Sequence, residues 1–418
     1  MDNNTFEKSN TEGAEKTAPW FLQKDNAQIP KDYNPYREKS TVLSDSLAEN
    51  RHKLKGPHKL EGEQQQDYEY RMALECVTLK AGVYKRLRGT SVYVALILFV
   101  LLMMTFFSSL ALSEISVLLT EDAYSILNYV FISAQYVILF PPAIYIATLG
   151  RKNKVRTYFK KPEVSAFYIA RWSVIALGAV YVASFVSNII FALIEGAGVY
   201  VSDLSAPLPT SALELVLYFI GVVILAPLFE EILFRGVLLT YLMKYGTWFA
   251  AAATGFLFGA YHQNHQQLLY AMIFGILLAF IDVKAGSVIP SLIAHIGVNL
   301  FAFLSTLTLS FTNYADTLAD PSVMLDGPAL ALFANALLDI LVYAIMVTSV
   351  IAFILEIVFG RKQFSFKENH CGLTPGEKTS AFFASPAMIG LLLIIAFFIM
   401  LNSFIDYEAL AEALANKQ

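Results

Sequence analysis

Long apolar runs separated by short polar loops dominate the chain from residue 91 onward. The runs are 91–113, 126–150, 164–193, 219–241, 248–262, 268–281, 288–309, 329–359 and 386–405. About 20 consecutive apolar residues suffice to cross the hydrocarbon core of a bilayer as a helix. Seven runs meet that length, and 248–262 and 268–281 fall short of it. The pattern predicts an all-α fold, a polytopic transmembrane helical bundle of eight or nine spans.

The polar segments carry a second pattern. Loop 151–163 reads RKNKVRTYFKKPE, and loop 360–378 holds Arg361, Lys362, Lys367 and Lys378. Loops 114–125, 194–211 and 310–328 contain no Lys or Arg. Lys80, Lys85, Arg86 and Arg88 abut the first run. Basic residues stay on the cytoplasmic side, so the N-terminus is expected inside. Nine alternating spans then place every basic loop in the cytoplasm and every loop without Lys or Arg outside, with the tail 406–418 outside too.

Composition agrees: 418 residues, 56% hydrophobic, mean hydropathy +0.54. Half of the 30 Lys and Arg lie in residues 1–90. Residues 1–66 are polar without periodicity and are expected to be a largely disordered cytoplasmic tail. Residues 1–20 have no apolar core of a signal peptide, so the first span is expected to direct insertion. Cys76 and Cys371 form no CxxC motif and fall in segments assigned to the cytoplasm, so no disulfide is expected. The predicted organisation is a tail (1–90), three spans (91–210), a core (211–305) and a C-terminal membrane segment with its tail (306–418).

The chain's chemistry is expected in the run 219–241. Glu230, Glu231 and Arg235 are its only charged residues. Ionisable groups at membrane depth cost roughly 2.5–3.5 kcal/mol each on insertion scales, so they tend to be functional. Glu231 and Arg235 are i and i+4, share a helix face and can pair. Glu230 is turned about 100° away and needs a partner from another helix.

Three histidines lie in or beside apolar runs, His262, His265 and His295. Phe258 and His262 are i and i+4, as are His295 and Asn299, so each pair shares one face. Ala251, Gly255 and Gly259 form a small-residue stripe that lets a neighbouring helix approach His262. At 1.5 Å per residue, Glu230, His262 and His295 lie about 16, 21 and 10 Å from the cytoplasmic ends of their spans. Elsewhere, Pro141 and Pro142 are expected to kink the second span. Arg171 is read as a snorkelling residue, and Asn335 with Asp339 as an interhelix hydrogen-bonding pair.

A membrane glutamate without a counterion suits a general base acting on water, and a facing histidine can hold that water or protonate a leaving amine. A second histidine and an asparagine can donate to an oxyanion. No serine or cysteine stands in a nucleophile context. Glu230, His262 and His295 also match the ligand types of catalytic zinc sites, so the sequence leaves open whether zinc or direct Glu/His activation prepares the water.

Glu230-Glu231-xxx-Arg235, Phe258-xxx-His262 and His295-xxx-Asn299, in that order, resemble the three motifs of the CAAX-protease and bacteriocin-processing (Abi) family. The family includes the type II CAAX prenyl endopeptidases. The resemblance covers roughly residues 211–305. It implies an intramembrane endopeptidase of the cell membrane, acting on membrane-embedded or lipidated peptide substrates and not on nucleic acid. It implies that Glu230 and His262 activate water, that His295 and Asn299 form the oxyanion site, and that Glu231 and Arg235 support them. Two other readings stand beside it. One is a non-enzymatic scaffold or bacteriocin-immunity protein that keeps the polar site. The other is a proton-coupled transporter, disfavoured because no Gly/Pro-broken helices recur in two matching halves.

Overall fold

The computed structural model describes residues 35–37, 47, 49, 55, 59–149, 154–202, 208–310, 327–366 and 372–405. Cys371 and most of the tail 1–66 fall outside the described residues. Every regular element among those described is helical.

The helices are α1 (Gln65–Ser116), α2 (Glu121–Thr148), the short α3 (Val155–Tyr158) and α4 (Ala166–Gly196). Then come α5 (Ala212–Tyr245), α6 (Thr247–Tyr261), α7 (His265–Ala285) and α8 (Ile289–Ser310). The chain closes with α9 (Gly327–Phe359), α10 (Pro375–Phe383) and α11 (Pro386–Phe404). Eight of these are long and apolar enough to cross a membrane. This is a multi-pass membrane protein. The remaining run, 248–262, became α6, whose 15 residues are too few to span by themselves.

Two ends of the bundle can be told apart by their contacts. At one end the basic segments converge. Thr90 meets Tyr245, Ser91 meets Phe382 and Ser385, Tyr84 meets Ser380, and Lys284 donates to the Ser365 carbonyl. Trp172, fully buried, packs at a tilt on Phe280 and edge-on against Phe364 there. At the other end the Ser202 N–H bonds the Ser403 carbonyl, and Asn402 donates to the Gln263 carbonyl. Short α6 therefore still reaches the level at which α11 ends.

The small-residue stripe works as expected. A Cβ on Gly255 would sit 2.8 Å from the Ile276 nitrogen, and one on Gly259 would meet the Leu268 carbonyl and, at 2.8 Å, the Met272 nitrogen. These backbone approaches bring α6 against α7. Asp282 pins the next turn, accepting from the Ser291 N–H (3.0 Å) and hydroxyl (2.6 Å). Gly286, at φ 67°, ends α7 in the left-handed conformation that glycine adopts freely.

Several expectations are refined. The helix runs unbroken through Pro141 and Pro142. Ala212–Tyr218 is the first part of α5, started by a capping box in which Ser211 and Glu214 satisfy each other's backbone N–H groups. Arg171 is not a free snorkelling residue, since it pairs with Glu356 of α9 at 2.7 Å. Asn335 does bridge helices, accepting from Thr308 (2.9 Å) on α8 and donating to Asp339 (3.3 Å). A segment of the tail is docked as well. The Tyr36 hydroxyl reaches the Arg235 carbonyl at 3.2 Å, and Arg37 bonds Glu163 and the Val283 and Lys284 carbonyls.

Candidate active site

The site is built on an irregular stretch of α5. Two π-helical segments, Phe219–Leu225 and Ile232–Leu239, flank a single α-helical segment, Ala226–Glu231. Pro227 supplies one cause, because it has no N–H to give the Val223 carbonyl. Carbonyls in these wide turns are served by side chains. Asn299 donates to the Val222 carbonyl (2.8 Å), Tyr36 to that of Arg235, and Thr240 to that of Gly236. Such π turns are common at functional sites. Here the stretch holds two adjacent glutamates, both buried.

The two carboxylates face different partners. Glu231 Oε2 lies 3.2 Å from Arg235 Nε, and its Oε1 is 2.8 Å from His295 Nδ1. The i, i+4 ion pair is thus present, and His295 joins it. Glu230 Oε1 accepts from the Tyr136 hydroxyl at 2.8 Å, and its Oε2 faces His295 Nε2 at 3.8 Å. The His295 ring therefore stands between the two glutamates.

Phe258 is a shelf for the charged groups. The Arg235 guanidinium lies over its ring, 4.1 Å from the centroid, with Nη1 and Nη2 making no hydrogen bond. This cation–π contact offsets part of the cost of burying the guanidinium. The same ring meets His262 at 4.9 Å and His295 at 5.8 Å, both edge-on.

His262 ends α6. Its Nδ1 is 2.7 Å from the Phe258 carbonyl. A carbonyl can only accept, so Nδ1 carries the proton and Nε2 of the neutral ring keeps a lone pair. Gln263 follows at φ 56°, a left-handed conformation uncommon for a non-glycine residue and found more often at functional sites. Asn264 then caps α7 by accepting from the Gln267 N–H. The turn fixes His262 where the helix stops.

Glu230 and His262 line one cavity of about 510 Å³. Tyr136 and Tyr261 share its wall, with Gln135, Gln263 and Asn402. The Tyr261 hydroxyl is buried without a hydrogen-bond partner. His295 lies behind Glu230, and Asn299 sits a turn further along α8 with its amide on Val222; neither lines the cavity. His265 lies apart, packed on Phe191 and Phe404. Among the described residues no three His, Cys, Asp or Glu side chains come together as a metal site. The Nδ1 atoms of His262 and His295 are held by the Phe258 carbonyl and by Glu231, so Nε2 of each ring is the nitrogen that a metal would use.

Comparison with known proteins bears on the same stretch. Residues 212–301 match the family model for type II CAAX prenyl endopeptidase Rce1-like proteins. This segment belongs to the CAAX-protease family. The match begins with α5 and stops within α8, so it takes in all three motifs. Neither the curated proteins nor the solved structures compared with the chain gave a match. The family is one of intramembrane endopeptidases, which sets the reaction class in general terms.

Tyr136 and Tyr261 were missed by sequence reasoning. Tyr136 lies in α2, outside the family segment, where one more aromatic in an apolar run carries no signal. Tyr261 directly precedes His262, so adjacency to a motif residue was the one available hint.

Proposed function

We propose that the chain is an intramembrane endopeptidase in which Glu230 and His262 activate water in the α5–α6 cavity. The supporting observation is the division of labour between the two glutamates. Glu231 is taken up by Arg235 and His295, whereas Glu230 faces the cavity with Tyr136 as its direct hydrogen-bond partner.

The step balances with these groups. A water held between Glu230 and the Nε2 lone pair of His262 gives a proton to the carboxylate, and its oxygen bonds to the peptide carbonyl carbon. The carbonyl π pair moves to oxygen, where a hydroxyl donor stabilises it. Tyr261 is the candidate donor, because it lines the cavity and its hydroxyl has no hydrogen-bond partner. Collapse of the tetrahedral species breaks the C–N bond, and the proton from Glu230 goes to the leaving amine. His295, held by Glu231, stands behind Glu230. This assigns His295 and Asn299 supporting roles in place of the oxyanion role implied by the resemblance.

The test is a peptide-release assay. Wild type and Glu230→Gln, purified in detergent, are incubated with a library of membrane-anchored peptides and the products read by mass spectrometry. New termini with wild type and none with Glu230→Gln are expected. Equal cleavage by both would place the chemistry elsewhere.

A further inference from the structure

Among the side chains described in residues 1–66, only Tyr36 is buried. Pro35–Arg37 forms a short 3-10 turn, and the Tyr36 ring joins the core that also holds Tyr158, Phe234 and Val237. Its hydroxyl donates to the Arg235 carbonyl at 3.2 Å, across 199 positions of sequence. Burial, and after it the nearby Asp282, Tyr158 and Glu231, push this hydroxyl well above the usual tyrosine range, so it stays protonated as a donor. Arg37 fills the rest of the seat. Its Nε and Nη2 lie 3.0 and 2.8 Å from Glu163 Oε2, and Nη1 and Nη2 donate to the Val283 (2.7 Å) and Lys284 (3.0 Å) carbonyls. A guanidinium on the last carbonyls of α7 is favoured by the helix dipole. Two adjacent tail side chains thus tie α5, α7 and the loop between α3 and α4 together.

The seat bears on the candidate site through Arg235. The Arg235 carbonyl lies in the second π-helical segment of α5, and the Tyr158 ring covers the next residue: a Cβ on Gly236 would lie 2.7 Å from Tyr158 Cδ2. The guanidinium at the other end of Arg235 is closely held. The Phe258 ring centroid is 4.1 Å from it, and a Cβ on Gly275 would come within 3.3 Å of Nη2. A backbone displacement at Arg235 therefore shifts the guanidinium against Glu231, and Glu231 holds His295 Nδ1 at 2.8 Å behind Glu230. Tyr36 lines no part of the cavity that holds Glu230 and His262, so the segment does not block it. It also lies outside the matched segment 212–301, so that segment does not itself supply this contact.

We propose that Pro35–Arg37 is a tethered activating segment and that Tyr36 is a positioning residue for the reaction, seated to hold the Arg235 backbone and through it the Glu231–His295 contact behind Glu230. The inference rests on the endopeptidase reading for its kinetic consequence alone. The seating and its effect on His295 do not depend on catalysis.

The test uses the full chain in detergent with ¹⁵N in its histidine rings. NMR signals of His295 and His265 are assigned from His295→Gln and His265→Gln. Tyr36→Phe and Arg37→Lys are compared with wild type, and Tyr70→Phe is the control, since Tyr70 is exposed. Tyr36→Phe keeps the ring and loses the hydroxyl, and Arg37→Lys keeps the charge and loses the fork. Tyr36→Phe and Arg37→Lys should each shift or split the His295 ring signals and leave those of His265 in place, and Tyr70→Phe should move neither. His295 signals that stay put in Tyr36→Phe overturn the proposal. So does an equal shift at His265, which packs on Phe191 and Phe404 and would report a general loosening of the bundle. If Tyr36→Phe does not fold, Arg37→Lys decides by the same signals. In cleavage of a membrane-anchored peptide, Tyr36→Phe should lower kcat about two- to tenfold, the span of one hydrogen bond, and leave KM within about twofold. An unchanged kcat overturns the positioning role. Absence of cleavage by wild type would count against the endopeptidase reading and not against the seating, which the His295 signals report separately.

Discussion

Replacing Gly259 by alanine probes the contact that positions His262. The added Cβ would lie 2.8 Å from the Met272 nitrogen and 2.9 Å from its Cβ, with the Leu268 carbonyl nearer still. Two of these three atoms are backbone, so the strain cannot be relieved by a rotamer change and α6 must move from α7. Overpacking of this kind costs about 1–3 kcal/mol. Alanine also gains about 0.8–1.0 kcal/mol of helix propensity over glycine, which hides part of that cost. Gly390→Ala removes the ambiguity, because a Cβ there meets nothing within 4 Å. The propensity term is common to both variants, so their difference isolates the clash at about 1–3 kcal/mol. Thermal unfolding in one detergent is the assay. With about 2–4 °C per kcal/mol for a unit of 150–250 residues, and less for a longer chain, Gly259→Ala should melt a few degrees below Gly390→Ala. It should also lose more peptide cleavage, since Phe258 and His262 move with α6. Equal melting temperatures for the two variants would refute the close packing of α6 on α7.

Other outcomes follow from the same contacts. Arg235→Met leaves Glu231 buried with only His295, a loss of about 3–5 kcal/mol for a broken buried pair, and should reduce the monodisperse fraction in size-exclusion chromatography. Adding Glu231→Gln to Arg235→Met should recover part of it. Tyr36→Phe removes the donor to the Arg235 carbonyl and, at about 0.5–1.5 kcal/mol per hydrogen bond, should speed hydrogen exchange in the second π-helical segment of α5; unchanged exchange would mean the tail contact does not reach α5. At the head of α1, the Arg71 side chain and the Leu60 N–H hold the Glu63 carboxyl down from 4.5 to about 2. Since the folded value is the lower one, this clamp contributes above pH 4.5 and is lost as the pH falls towards 2. The hydrogen-exchange protection factors around residues 60–75, taken relative to the intrinsic rates at each pH, should fall over that window and stay flat from pH 5 to 8.

What the sequence disclosed and what it hid have physical causes. The spans, the Glu231–Arg235 pair and the stripe at Gly255 and Gly259 were legible because helical spacing alone decides which side chains share a face. Phe258 was placed on one face with His262, but its role under the Arg235 guanidinium depends on the angle at which α6 meets α5, which spacing does not encode. His295 was read with Asn299 as an oxyanion site on the strength of the resemblance; that its ring stands between two carboxylates depends on how α8 meets α5, which spacing does not encode. Hydropathy gave no warning of the π turns of α5, since a π-helix and an α-helix of Leu, Val and Phe have one composition. The partner of Arg171 was hidden because Glu356 lies 185 positions away, on another span. Tyr36 was hidden for the opposite reason: the polar tail around it has the composition of a solvated segment, and one aromatic does not alter that.

The measurement that bears most directly on the account is cleavage of one membrane-anchored peptide in ¹⁸O-water by wild type and Glu230→Gln. The account predicts that wild type releases a product whose new carboxyl carries one ¹⁸O, and that Glu230→Gln releases none. A product from Glu230→Gln at the wild-type rate would contradict it.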